Sequence, residues 1–143
     1  IFSKDSKETL TAIEKLQAFI NTYPESEYIS EANELVFDLD FRLEMKAYDT
    51  ALQYNTLTDY QASIKAFDNF ILDFPGWKLR EKAMYYRFDS SYRFAINSVT
   101  WMMQERIDKA ISYYNSFKKY YESSEFIKEA DLKLKELNEL KTI

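Results

Sequence analysis

Apolar side chains are laid along this chain in one pattern written three times, anchored on Tyr23-Pro24, Phe74-Pro75 and Tyr121-Glu122. Eleven residues before the second anchor position stand Ile13, Ile64 and Ile111; eight before it, Leu16, Phe67 and Tyr114; five before it, Phe19, Phe70 and Phe117. Four residues after it come Tyr28, Leu79 and Phe126, and eight after it a small side chain recurs as Ala32, Ala83 and Ala130. Intervals of three and four are those of amphipathic helices. Their repetition predicts an array in which no unit buries its apolar face alone and neighbours stack to make the core.

The spacing predicts a first helix over about 6–22, with Asp5 and Glu8 as a capping box and Pro24 as its stop. Ser26 is the expected N-cap of a long helix over about 27–57, which contains neither Pro nor Gly; a break near Asp40 would instead give two shorter helices. Tyr28, Leu35, Leu39, Leu43, Ala47, Ala51 and Tyr54 are its expected inner face. Thr58 and Gln61 form a second box ahead of a helix that ends near Asp73, and Pro75-Gly76-Trp77 is the clearest turn. A helix over about 79–97 follows, with Ala83, Met84, Phe88, Tyr92 and Ala95 or Ile96 inward. The segment 98–103 reads as an insertion, the third copy starts near Glu105, and Ser123 or Ser124 caps a last helix to about Leu140.

Composition narrows the function. With 46% hydrophobic and 17% aromatic residues in 143, the chain can fill a core, and one Gly with two Pro leaves few turns for a sheet protein. His and Cys are both absent, which removes thiol nucleophiles, disulfides, most zinc sites and the usual neutral-pH proton carrier. No metal and no cofactor is expected. The carboxylate pairs Asp38 with Asp40, Glu31 with Glu34 and Glu136 with Glu139 read as solvated helix faces beside Lys and Arg, so no catalytic residue is assigned and an enzyme is not expected. A net charge of -5, with cations interspersed among anions, argues against nucleic acid as partner. No apolar run approaches the roughly 20 residues needed to cross a bilayer. The chain opens at Ile1 without a signal peptide, and the expectation is a piece of a longer protein.

With Pro75 set at position 32 of a 34-residue unit, Tyr54, Tyr60, Ile64 and Phe67 fall where a tetratricopeptide repeat places apolar residues, and the unit resembles that repeat. Thr58 stands where Gly is usual, Ser63 where Ala is usual, and Glu122 replaces the third proline. The expected fold is an all-α, tetratricopeptide-like right-handed superhelix of antiparallel helix pairs. It has about six or seven helices in a single domain, with units near 5–43, 44–78 and 79–141. Phe19-Ile20 leading into Tyr23-Pro24-Glu25-Ser26-Glu27-Tyr28, Arg42-Leu43, Asp59-Tyr60, Asp73-Phe74-Pro75, and Ala110-Ile111 with Tyr113-Tyr114 are similar to the BamD family. These are outer-membrane lipoproteins of the β-barrel assembly machinery, and the likeness covers about residues 9–140 of their carboxy-terminal part. The resemblance implies a periplasmic location with a lipid anchor upstream of this segment. It also implies a non-enzymatic role in outer-membrane protein assembly, with docking onto the barrel-forming subunit.

Candidate contact residues follow from the array. The first helix of each unit lines the concave side, which nominates Tyr48, Leu52, Asn55, Lys82, Tyr86, Asp89 and Arg93. Trp77 either staples the helix after its turn or projects as an anchor of the kind enriched at hot spots. Trp101, Met102 and Met103 combine an aromatic with adaptable thioethers, a composition of binding surfaces as well as of local packing. A generic repeat adaptor gripping a peptide tail in the concave groove is the alternative function, and converging cations would mark it.

Overall fold

The computed structural model describes residues 4–141, all helix and short connection. Six helices follow in order: α1 (Lys4–Thr22), α2 (Ile29–Thr56), α3 (Tyr60–Asp73), α4 (Arg80–Ile96), α5 (Thr100–Tyr121) and α6 (Ile127–Lys141). The all-α, repeat-built class read from the pattern is therefore the one observed. The helices fall into two compact units, Ile1–Lys46 and Ala47–Ile143, with α2 contributing to both.

In the first unit, α1 already runs through Asp5, so its start lies earlier than the box at Asp5 and Glu8 implied. It stops before Pro24, where Tyr23 still donates its N–H to the Phe19 carbonyl at 2.9 Å. The turn that follows is set by Ser26. Its N–H reaches the Tyr23 carbonyl, its Oγ accepts the Tyr28 N–H at 3.2 Å, and its carbonyl accepts the Ile29 N–H. The helix thus begins two residues later than the expected cap position. The same six-residue turn recurs before α6, where Ser124 accepts from Phe126 at 3.1 Å and joins Tyr121 and Ile127 through its backbone. Ile13 and Ala32 are buried here, whereas Tyr23, Tyr28 and Phe37 are more than half exposed.

α2 is continuous, but only part of its expected inner face is turned inward: Ala51 is buried and Leu39, Leu43 and Ala47 are half-buried. Tyr28, Leu35 and Tyr54 are exposed. In the second unit Tyr48 and Asn55 are buried beside the expected Ala51, at the three-and-four spacing of one helical face, and Tyr48 takes the inner aromatic place expected of Tyr54. Tyr48 lies edge-on to both Phe67 and Phe70, each 6.0 Å away between ring centres. One repeat later Tyr85 meets Phe117 at 5.7 Å in the same edge-on manner. Each such pair adds about 0.5–1.5 kcal/mol beyond burial. Small residues let the backbones close up: Ser63 of α3 is fully buried, 3.0 Å from the Ala51 carbonyl and 2.8 Å from Ser90 Oγ on α4.

α4 is the centre of the second unit, packed by α3 on one side and α5 on the other, with α6 closing the end. Ala83, Met84, Tyr85, Phe88 and Ala95 on α4 are buried, as are Ile107, Ala110 and Phe117 on α5 and Ala130 and Leu137 on α6. The segment expected as an insertion is no loop beyond its first residues. Trp101, Met102 and Met103 form the first turn of α5, because nothing after Thr100 stops a helix.

The end of α2 corrects one expectation and explains another. Asp59, not Thr58, caps α3, its Oδ1 accepting the Ala62 N–H at 3.3 Å. Thr58 sits instead at the left-handed position of a Schellman ending, with φ 63°. There Asp59 donates to the Tyr54 carbonyl at 2.9 Å and Thr58 to that of Asn55 at 3.1 Å. This is the place where a tetratricopeptide unit usually carries Gly, and a β-branched residue is strained there by about 1–2 kcal/mol. Thr58→Gly is expected to stabilise the protein by about 1 kcal/mol once the greater freedom of glycine in the unfolded chain is subtracted. An unchanged or lower urea midpoint would show that the backbone there carries no strain.

Candidate protein-binding surface

The first-helix face of the second unit is a bonded polar network. Asn55, only 4% exposed, donates Nδ2–H to Asp89 Oδ2 at 3.0 Å. Lys133 of α6 donates to Asp89 Oδ1 at 2.8 Å and to the Tyr85 hydroxyl at 2.6 Å. The Tyr85 hydroxyl in turn donates to Glu129 at 2.9 Å. Arg93 donates to both the carbonyl and the Oδ1 of Asn55, at 2.9 and 2.8 Å, with its guanidinium over the Tyr60 ring. Tyr92 and Tyr114 donate to Glu136 and Asp131, so four side chains of α6 are tied inward. Burial of an Asp beside one cation and one amide donor is tolerated because both its oxygens are bonded.

The phenols here are held protonated. Burial, then the bond to Glu129, pushes the Tyr85 hydroxyl far above its ordinary range. Burial and the carboxylate partner raise Tyr92 and Tyr114 to about 12. On the other side of α4, burial and Asp68 raise Tyr113 to about 12. Near neutral pH these groups act as fixed donors, which suits architecture. Among the described residues no group of three His, Cys, Asp or Glu is arranged to hold a metal ion. No described helix is long and apolar enough to cross a membrane.

The residues nominated from sequence separate into three environments. Asn55, Asp89 and Arg93 come together in the network. Tyr48, Leu52 and Tyr86 belong to the apolar cluster around Phe67 and Phe70 and present little surface. Lys82 is exposed. Trp77 and Trp101 project into solvent, 78% and 83% exposed, while Met102 is partly exposed and Met103 packs against the core. The two indoles flank opposite ends of α4, whose 17 residues span about 25 Å, so they are separate anchors. Lys133, Tyr85 and Glu129 were missed. A signal existed for the first: eleven residues after the anchor the copies read Leu35, Tyr86 and Lys133, so the last copy breaks an apolar position with a cation.

The family profile YfiO, described as an outer membrane lipoprotein, matches residues 1–97. The chain belongs to this outer membrane lipoprotein family. The YfiO match ends at the close of α4, and α5 and α6 lie beyond it. They are nevertheless built on the same repeat, since the Ser124 turn reproduces the Ser26 turn within the matched part. Family membership supports the expected outer-membrane location and the BamD likeness. No curated protein matches the chain.

Proposed function

We propose that this protein is a non-enzymatic scaffold in outer-membrane β-barrel assembly, docking its helical repeats onto the barrel-forming subunit. The observation that carries the reading is membership of the YfiO outer membrane lipoprotein family over two thirds of the chain. The geometry suits it: Trp77 and Trp101 stand out from a preformed helical frame, and rigid aromatic anchors lose little entropy on docking. A peptide-tail clamp on the first-helix face is less favoured. Of the three cations on it, Lys133 is held by Asp89 and Arg93 by Asn55, which leaves Lys82 exposed but no converging cluster.

The test is a pull-down from detergent-solubilised outer membranes with the chain as bait. The native chain is expected to recover the barrel-forming subunit. The double variant W77A/W101A, which leaves the core intact, should recover at least tenfold less. Failure of the native chain to retain that subunit would overturn the proposal.

A further inference from the structure

A groove of about 910 Å³ runs between α3 and α5, on the side of α4 away from the polar network. Ile64, Phe94 and Met102 supply its apolar lining. Its charged lining is formally balanced, with Lys65, Arg106 and Lys109 against Asp68, Glu105 and Asp108. Pairing upsets that balance. Asp68 accepts from Arg87 at 3.0 Å and from the Tyr113 hydroxyl at 3.1 Å. Asp108 is bridged by Lys141 at 2.9 Å. None of the three cations has a carboxylate partner among the described residues. Lys109 lies over the Tyr113 ring, and Arg106 stacks 3.9 Å from the Phe94 ring centre while donating to Ser98 Oγ. Three uncompensated cations thus face one uncompensated carboxylate, Glu105, around an apolar strip.

We infer that this groove takes an acidic amphipathic helix of a partner protein. Its carboxylates meet Lys65, Arg106 and Lys109, and its apolar side chains pack on Ile64, Phe94 and Met102. The lining runs along α5 from Met102 to Tyr113, about 16 Å at 1.5 Å per residue, which matches two to three turns of a docked helix. Cations already stacked on aromatic rings are partly ordered before the ligand arrives, which lowers the entropy lost on binding. Nucleic acid is the poorer fit, because a phosphate chain needs a continuous cationic track and here Glu105 interrupts it. The inference rests on the protein-binding reading above, but neither indole lines the groove and Lys65 and Lys109 are not part of the indole anchors, so loss of the barrel subunit in W77A/W101A and loss of the Glu peptide in K65E/K109E can occur separately.

The test uses the whole chain and three labelled probes followed by fluorescence anisotropy. One is a twelve-residue peptide with Leu at helical spacing flanked by Glu; the second is the same peptide with Lys for Glu; the third is a single-stranded DNA twelve-mer. The Glu peptide is expected to bind at least tenfold more tightly than either of the others. K65E/K109E, two exposed positions whose reversal leaves the core untouched, should weaken it at least tenfold and reverse the preference between peptides. E105K, also exposed, should tighten it severalfold. Equal binding of the two peptides, no binding of the Glu peptide, preference for DNA, or insensitivity to the charge reversals would each overturn the inference.

Discussion

Replacing Phe117 by alanine is expected to lower the stability of the protein by about 3–5 kcal/mol. Phe117 has no exposed surface and sits in the ring cluster of the second unit, 5.7 Å from Tyr85 and 6.1 Å from Tyr121 between ring centres. Its removal deletes buried apolar surface and leaves a cavity that neighbours on three helices, α4, α5 and α6, cannot fill without leaving their own contacts. Since a domain this size is stable by only about 5–15 kcal/mol, the loss should appear as a large fall in the urea midpoint followed by circular dichroism. Phe37, at an equally aromatic but exposed position, provides the contrast: F37A should shift the midpoint by less than about 0.5 kcal/mol. A cost below about 1 kcal/mol for F117A would show that the stacked-copy core is not what holds the second unit together.

Raising the pH from 10 to 12 is expected to unfold the protein in a steep transition. Tyr48, Tyr92, Tyr113 and Tyr114 are raised from 10.0 to about 12 in the folded chain, chiefly by burial, and Tyr85 is pushed higher still. A group whose folded pKa exceeds its unfolded value contributes stability that is complete below the unfolded value and lost as pH rises through the folded one. The unfolded phenols release protons near 10 while the folded ones hold them to about 12, so the loss falls between these limits. Two units correspond to about 2–3 kcal/mol for a well-shielded phenol, less where water reaches the ring, and several acting together exceed what a domain can lose. The part of the tyrosinate absorbance due to these five buried phenols and the helical circular dichroism should therefore change together. Complete tyrosinate absorbance reached near pH 10 with the helices intact would contradict the burial and carboxylate bonds of these phenols.

The repeated pattern made the helices legible, although α1, α2 and α5 start elsewhere than their local signals implied. The Pro24 and Pro75 stops, the Ser turns and the six helices need only a few adjacent residues to specify them. The inner face of α2 was only partly legible, with Ala51 buried as expected. Its apolar residues are spread around the helix, and the choice of Tyr48 and Asn55 over Tyr54 depends on which side α3 and α4 approach. The polar network was half legible. Asn55, Asp89 and Arg93 were chosen for lying on a common face, but that face proved bonded rather than vacant, because Lys133 comes from a helix far along the chain. Positions beside turns leave open whether Trp77 and Trp101 pack locally or project, and the α3–α5 groove depends on which charges neutralise one another and cannot be read from one helix at a time.

The paired turns at Ser26 and Ser124 bear on how the chain reaches this structure. Each is closed by three hydrogen bonds within a handful of neighbouring residues and needs no distant segment to form. Hairpins of helices begun at such points pay little loop-closure entropy, so ordering can start at either end of the molecule and spread inward. Either turn can then form before the other, without waiting for the helices between them to pack.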